Sequence, residues 1–293
     1  MGDATSDPIQ LSFNSQLRVE FRGATVTSDA GLLLPRELDE HLGLGALIER
    51  HLTDPRCGRN RQFPLVDLFR QSIYSRLAGY EDTNDAERLA VDPTFRMLAS
   101  RERRETSVAL TSTLHWFETE VLTEEDNYQG LARLNTDVVQ REAMRRPTRR
   151  VILDIDSSES PVHGAQEQSA YNGHFESVCY HPLFVFNQKG DCLAAKLRPG
   201  NVPSASGWEE VLLPVIDRHQ DREQSVVIRA DAAFALPAVY EALELRGVAY
   251  AIRLPANQVL ERAIEDLLTR PRGRPSHAPL VRYRSFHYQA ASW

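Results

Sequence analysis

Two short apolar runs in the second half of the chain each end on an aspartate. They are Val151–Asp156, which reads Val-Ile-Leu-Asp-Ile-Asp, and Val226–Asp231, which reads Val-Val-Ile-Arg-Ala-Asp. Short runs rich in β-branched and aliphatic residues predict buried strands. A carboxylate at the end of a buried strand is costly to desolvate, and two neighbouring carboxylates repel unless a cation lies between them. The pattern therefore predicts that Asp156 and Asp231 share a divalent metal ion.

The elements around these runs alternate between strand and helix. After strand 151–155 comes a polar connection, 157–176. The hydrophobic pattern then predicts strands 178–186 and 192–197 joined by a hairpin, helix 206–219, strand 226–229, helix 236–246, strand 248–253, helix 261–269 and a further strand, 283–288. This order resembles the ribonuclease H-like fold, a mixed sheet whose first and fourth strands lie side by side and carry acidic residues.

The first half of the chain has a helical rather than an alternating pattern. One strand, 17–21, precedes helices predicted at 32–42, 46–52, 64–79, 84–89, 111–122 and 127–144. The change of pattern at Pro147 predicts a helix-rich N-terminal region, 1–147, and an α/β domain of ribonuclease H-like fold, 148–293.

Composition narrows the class of protein. Hydrophobic residues make up 42% and charged residues 26% of the chain, which is typical of a globular protein with a substantial core. No apolar run is long enough to span a membrane, and the N-terminus lacks the pattern of a signal peptide. We therefore expect a cytoplasmic protein without a membrane partner. The scattered Cys57, Cys179 and Cys192 are expected to be free thiols, although Cys179 and Cys192 could face each other across a hairpin.

Charge is unevenly distributed. The net charge of −7 argues against a protein that coats nucleic acid, but almost all of the basic residues are arginines, and some are clustered. Arginine binds phosphate through a bidentate fork, whereas many charge runs are only solvated surfaces. Both interpretations apply to the two clusters, which are Arg101, Arg103 and Arg104, and Arg141, Arg145, Arg146, Arg149 and Arg150.

A series of short motifs, in order along the chain, resembles one protein family. The motifs are Thr27–Gly31, Ala78–Asp85, Leu89–Pro93, Leu153–Asp156, His163–Glu167, Tyr171–Gly173, Cys179–Leu183, Lys196–Val202, Ile228–Asp231 and Phe286–Ala290. Together they are similar to the DDE-type transposases of bacterial insertion sequences, specifically the insertion sequence 1380 family (transposase DDE domain group 1).

The resemblance implies a function and its site. Asp156 and Asp231 would be the first two acids of the catalytic set and would bind Mg²⁺ or Mn²⁺. The partners would be DNA, both terminal inverted repeats and target, and further copies of the chain in a synaptic complex. The family's Ser-Gly-Phe after the second aspartate is Ala232-Ala233-Phe234 here. The third acid, a glutamate, is expected beyond Trp293, which implies a chain truncated at its C-terminus.

Several residues near the expected site are candidates for DNA contacts, and alternatives remain open. Asp154 competes with Asp156 for the metal, because both point to one face of a strand. His163 with Gln166, and Asn172 with His174, could also be metal ligands, a base, or hydrogen-bonding loop residues. A Ser157–His163–Asp156 triad lacks a nucleophile elbow. The predicted DNA-contacting residues are His163, Gln166, Asn172, Arg198, Asn201, Arg253 and Asn257.

Three functions follow from these observations. The first is a metal-dependent DNA transposase. The second is a truncated transposase that binds DNA without cutting it. The third is a ribonuclease H-like nuclease unrelated to transposition.

Overall fold

A computed structural model describes most of the chain. The described residues are 9–11, 14–19, 27–57, 62–99, 108–145, 147–269, 273 and 279–290. The chain divides into two compact units, Met1–Glu142 and Ala143–Trp293. The predicted arginine cluster at 101–104, together with Arg146, lies outside the described residues.

The first unit is helical after a short hairpin. The hairpin pairs β1 (Ile9–Leu11) with β2 (Asn14–Val19) in antiparallel fashion. The strand predicted at 17–21 corresponds in part to β2, and residues 20–21 lie outside the described residues. The helices are α1 (Leu33–Leu42), α2 (Leu44–His51), α3 (Leu65–Leu77), α4 (Ala86–Leu89), α5 (Pro93–Ala99), α6 (Thr111–Trp116), which continues into a π-helical turn (Phe117–Val121), and α7 (Glu125–Arg145).

Helix α3 contributes buried apolar residues to two hydrophobic clusters, so it lies at the centre of this unit. Its Leu68 and Phe69 pack in the main cluster, and its Tyr74 packs in a second cluster. The main cluster also contains Leu47, Ile48, Leu52, Leu65, Ala86, Ala109, Leu114, Phe117, Val121 and Leu134. Burial of this apolar surface is the main stabilising contribution to the unit.

Polar residues of α3 are buried too, and each has a partner. Arg70 donates from Nε and Nη2 to the two oxygens of Asp39, at 2.7 and 2.9 Å, and the Tyr74 hydroxyl donates to the same carboxylate at 2.7 Å. Gln71 exchanges two hydrogen bonds with the backbone of Ala109. Removing only one partner of such a buried ion pair strongly destabilises the fold, because the other charge stays buried without compensation.

The second unit alternates strands and helices. Its elements are β3 (Arg150–Ser157), β4 (Ser160–Pro161), β5 (Ala170–Asn172), β6 (Ser177–Tyr180), β7 (Leu183–Asn187), β8 (Cys192–Lys196), α8 (Trp208–Gln220), β9 (Ser225–Ala230), α9 (Pro237–Leu245), β10 (Ala249–Ile252) and α10 (Gln258–Leu268).

A five-stranded mixed sheet forms the frame of this unit, in the order β10-β9-β3-β7-β8. Strands β3, β7 and β8 form an antiparallel meander. The chain then crosses through α8 to β9, which pairs parallel with β3 on its other side, and through α9 to β10, which pairs parallel with β9. Three antiparallel strands followed by two parallel strands beside the first is the ribonuclease H-like arrangement. The predicted fold class is therefore confirmed.

The two faces of this sheet differ. Burial alternates along β3, where Val151, Leu153 and Ile155 are buried. These residues share a face with Val226 and Ile228 of β9, and α8 packs against β7, β8 and β9 through its buried residues Trp208, Val211, Leu212, Val215 and Ile216. The opposite face carries Asp154 and Asp156 at the intervening positions, so the aspartates point away from this core.

Three predictions about this unit are wrong, the first two in part and the third entirely. The strand predicted over 178–186 is two strands, β6 and β7, that belong to different sheets and are separated by His181-Pro182. The connection predicted over 157–176 contains β4 and β5, which pair with β6 in a small antiparallel sheet. Residues 283–288 form no strand. Instead, Arg282 and Arg284 donate to backbone carbonyls of α10.

The thiol prediction holds, whereas the hairpin alternative does not. Cys57, Cys179 and Cys192 are free. Cys179 lies in β6 of the small sheet and Cys192 in β8 of the large sheet, so they are not cross-strand neighbours. Among the residues that the structure describes, no helix has both the length and the apolar character needed to cross a bilayer.

Candidate metal-binding active site

The pairing of β3 with β9 brings the two predicted acids together. The strands are parallel, and the register places Ile155 beside Ala230. One position further on, Asp156 therefore lies beside Asp231, which directly follows β9. Adjacent strands are about 4.8 Å apart, and residues in register on parallel strands point to the same face. The two carboxylates thus lie side by side at the carboxyl-terminal edge of the central strands.

Each of these carboxylates is held locally by one oxygen. Asp156 Oδ1 accepts the Ser157 N–H at 2.8 Å, and Asp231 Oδ1 accepts the Ala233 N–H at 3.0 Å. Asp231 thereby caps the 3-10 turn Ala232–Phe234. Both side chains are exposed, and within the described residues the second oxygen of each makes no hydrogen bond or ion pair. The pair therefore presents two free carboxylate oxygens to solvent.

Asp154 is in a different state. It lies on the same face, two residues before Asp156, but both of its oxygens are engaged by Arg229 of β9. Arg229 donates from Nε to Oδ1 and from Nη2 to Oδ2, each at 2.6 Å. These hydrogen bonds and the charge of Asp154 raise the pKa of the Arg229 guanidinium above its ordinary value. The geometry therefore favours Asp156 over Asp154 as a metal ligand.

The donor set of the pair fits a hard divalent cation. Carboxylate oxygens are preferred ligands of Mg²⁺, which is commonly bound through one or two carboxylates together with water and substrate phosphate. Within the described ranges, no group of three or more His, Cys, Asp or Glu side chains could hold a metal ion. Asp156 and Asp231 therefore offer two carboxylate oxygens that suit such an ion.

A cationic residue extends the row of charges onto the next strand. The Arg253 N–H donates to the Ala230 carbonyl at 3.1 Å, and Ile252 of β10 pairs with Ala230, which places Arg253 beside Asp231 just after β10. Its side chain is exposed and makes no ion pair within the described residues. Asp156, Asp231 and Arg253 thus occupy equivalent positions at the ends of three adjacent strands.

A comparison with protein-family models shows the family of the chain. The model of the transposase DDE domain, group 1, matches residues 9–293. The chain belongs to this family.

Comparison with solved structures finds other transposases at low similarity. The catalytic domain of the Mos1 mariner transposase has 14% sequence identity over 50% of this chain and 73% of that chain, with a TM-score of 0.26. A piggyBac transposase synaptic complex with hairpin DNA has 16% identity over 83% of this chain and 54% of that chain, with a TM-score of 0.38. The Mos1 paired end complex with Mn has 11% identity over 84% and 81%, with a TM-score of 0.24. No curated protein matches the chain.

Arg198 of this DDE domain is buried rather than presented to solvent. Its side chain is only 5% exposed. Nε donates to the His181 carbonyl at 2.8 Å, and Nη1 donates to carbonyls of the 203–206 loop, including Ser206 at 2.6 Å. Burial lowers the pKa of the Arg198 guanidinium. Nη2 has no partner within the described residues. A DNA contact by Arg198 stays a prediction, and it would require this loop to move.

Asn172 is also buried and joins two loops. Its Nδ2 donates to the Gly200 carbonyl at 2.6 Å, and its Oδ1 accepts the N–H groups of His174 and Phe175. All of these contacts are structural. Of the interpretations open for Asn172 and His174, a loop held by hydrogen bonds is the one that the geometry favours.

The other predicted DNA-contacting residues fall into two groups. Asn257 caps α10 through Oδ1 and donates from Nδ2 to the Tyr288 hydroxyl at 2.9 Å, so it has a structural role. His163, Gln166 and Asn201 are exposed, and their side chains make no hydrogen bond within the described part of the chain. His163 therefore has no contact with Ser157 or Asp156 there, which the alternative triad would need.

Arg229 is the residue of this site that the sequence analysis missed. It precedes Asp231 by two positions, as Asp154 precedes Asp156. The equal spacing is the signal that could have found it. If parallel strands place Asp156 beside Asp231, they also place Asp154 beside Arg229, two positions earlier on each strand.

Proposed function

We propose that this chain is a DNA transposase of an insertion sequence, of the insertion sequence 1380 type, and that Asp156 and Asp231 bind its divalent metal. One observation carries the proposal: in a member of the DDE transposase family, two aspartates lie side by side on adjacent parallel strands, each with a free oxygen. Mg²⁺ or Mn²⁺ bound there would activate an attacking oxygen and stabilise the leaving oxygen at phosphorus.

The residues of the chain would have distinct roles in this reaction. The Ser157 and Ala233 N–H groups each hold one oxygen of a carboxylate and leave its other oxygen free for the ion. Because each carboxylate is held in part before DNA arrives, less entropy is lost on binding. Arg253, exposed beside Asp231, would contact a DNA phosphate and position the strand without reading its sequence. His163, Gln166 and Asn201 would make further contacts of this kind from neighbouring loops.

The partners would be DNA and other copies of the chain. The ends of the element and a target duplex are the DNA substrates, and the helical unit would bind the terminal repeats. Joining two ends requires more than one active site, which supports assembly of several copies in a synaptic complex.

Metal-dependent nicking of duplexes that carry the element's ends tests the proposal. The parent chain is expected to nick the end in Mg²⁺ or Mn²⁺, whereas Asp156→Asn and Asp231→Asn are expected to lose nearly all activity. Asp221→Asn is the matched control, because it makes the same chemical change at an exposed aspartate that follows α8, outside the row of strand ends.

Two outcomes would change the conclusion. If the parent binds the end duplex but never cuts it in either metal, the catalytic role fails and DNA binding alone remains. If it cuts duplexes with and without the repeats equally well, the chain is a nuclease rather than a transposase.

A further inference from the structure

Three carboxylates, not two, lie on the open face of the central strands. Asp154, Asp156 and Asp231 all point to the face opposite the α8 core. A divalent ion at the Asp156–Asp231 pair would have Asp154 roughly 7 Å away, at the distance of two residues along a strand. A free carboxylate at this distance could move toward the metal or draw it away from the strand ends.

Arg229 already occupies both oxygens of Asp154. It lies directly across from Asp154 in the β3–β9 register, and its planar fork matches both carboxylate oxygens at 2.6 Å. A bidentate pair of this type fixes direction as well as charge. The Asp154 side chain is 34% exposed and the Arg229 side chain 54% exposed, so the pair is open to the solvent from which the metal and DNA would come.

We propose that Arg229 is a positioning residue that keeps Asp154 out of the metal's ligand set and cancels its charge. The inference rests on the proposed metal-binding role of Asp156 and Asp231. The consequence is that only the carboxylates at the strand ends are available, so the ion lies at the edge of the sheet where a phosphate can reach it.

Because the two side chains carry opposite charges, removing one or the other should change Mn²⁺ affinity in opposite directions. Arg229→Met leaves Asp154 as an uncompensated negative charge, so Mn²⁺ should bind more tightly. Asp154→Asn leaves Arg229 as an uncompensated positive charge, so Mn²⁺ should bind more weakly. Coulomb's law in water across ~7 Å gives a change of about five- to sevenfold for a divalent ion at low salt, and screening reduces it to about twofold near 0.15 M.

The experiment is a Mn²⁺ titration of the full chain, with free Mn²⁺ measured by electron paramagnetic resonance at low and at physiological salt. The variants are Arg229→Met, Asp154→Asn, the double variant Asp154→Asn/Arg229→Met, and Arg229→Lys. The double variant restores a neutral pair and should bind Mn²⁺ within about twofold of the parent. Arg229→Lys keeps the charge and should also remain close to the parent.

A purely structural role in holding β3 against β9 predicts another pattern. Both single variants would then bind Mn²⁺ more weakly or equally, and the double variant would not recover. That pattern, or unchanged binding in Arg229→Met at low salt, would overturn the inference. If Arg229→Met does not fold, two results still test the inference. Asp154→Asn should bind Mn²⁺ more weakly than the parent, and the double variant should bind it about as tightly as the parent.

Asp156→Asn separates this inference from the proposed function. If Asp156→Asn leaves Mn²⁺ binding unchanged, the metal site itself is wrong. If Asp156→Asn weakens Mn²⁺ binding but the Arg229 and Asp154 variants show no opposed shifts, only the positioning role fails.

Discussion

Asn172 provides a direct test of whether a predicted DNA contact is instead part of the fold. Asn172→Ala removes the donor to the buried Gly200 carbonyl and the acceptor of the His174 and Phe175 N–H groups. Leaving one buried carbonyl unsatisfied costs ~1–3 kcal/mol, and two partly buried N–H groups add about 1 kcal/mol. We therefore expect the free energy of unfolding to fall by about 2–4 kcal/mol.

The assay is urea unfolding followed by far-UV circular dichroism, together with DNA binding by fluorescence anisotropy under conditions where each variant is folded. Asn172→Asp keeps the acceptor but places a carboxylate oxygen against the Gly200 carbonyl, so it should be destabilised as well. Asn201→Ala is the matched control, because its exposed side chain makes no hydrogen bond within the described residues, and its stability should stay within about 0.5 kcal/mol of the parent.

The reasoning would be refuted by a particular combination of results. If Asn172→Ala is as stable as the parent and binds DNA much more weakly, then the side chain contacts DNA. Its hydrogen bonds to Gly200, His174 and Phe175 would then contribute nothing to stability. Loss of stability with DNA affinity retained in the folded variant is the outcome that the geometry predicts.

Three further predictions concern packing, a buried ion pair and pH. Gly130→Ala in α7 should lower the melting temperature, because a Cβ would lie 2.1 Å from the His51 carbonyl oxygen and overpacking costs ~1–3 kcal/mol. Arg70→Met should lower the free energy of unfolding by about 3–5 kcal/mol, because it leaves the Asp39 carboxylate buried without its main partner. Burial lowers the pKa of His219, so stability should be complete above the unfolded pKa of ~6.5 and decline as pH falls toward the folded value.

Each of these predictions has an outcome that would contradict it. Gly130→Ala with an unchanged melting temperature would mean that α2 and α7 separate at no cost. Arg70→Lys should recover part of the stability lost in Arg70→Met, and equal loss in both would assign the effect to packing alone. His219→Gln should flatten the decline of stability between pH 7 and pH 5, whereas an unchanged decline would assign it to other groups.

The large sheet could be predicted from sequence because its strands carry a strong local signal. The runs that became β3 and β9 are short, apolar and bounded by polar residues, and each ends on the aspartate of interest. The order of these strands with α8, α9 and β10 is compatible with few sheet topologies. The prediction of the fold class therefore also predicted that Asp156 and Asp231 lie close together.

The small sheet could not be predicted in the same way. Strands β4 and β5 have two and three residues, and neither is long enough for an alternating pattern to be visible. Apolar residues lie on both sides of the His181-Pro182 junction, at Val178–Tyr180 and Leu183–Phe186, so the hydrophobic pattern predicted a single strand. Only pairing with other strands shows that β6 turns away at His181-Pro182 into a separate sheet.

The roles of polar residues depended on contacts that the local pattern does not show. Arg198 and Asn172 are polar residues at the edges of strands, which is typical of exposed positions, yet both are buried: Arg198 by the 203–206 loop that follows it, and Asn172 against Gly200, 28 positions away. The pairing of Arg229 with Asp154 joins residues 75 positions apart and depends on the register of β3 with β9. Local sequence fixes neither burial nor register, so these roles became visible only in the folded chain.

The central claim is that Asp156 and Asp231 together hold a divalent metal ion. The most direct measurement is a crystal structure of the chain grown with Mn²⁺, with the ion located by its anomalous scattering. The account predicts an anomalous peak within about 2 Å of one oxygen from each aspartate, with Asp154 still paired to Arg229. A peak on Asp154 instead, or no peak between Asp156 and Asp231 at saturating Mn²⁺, would contradict it.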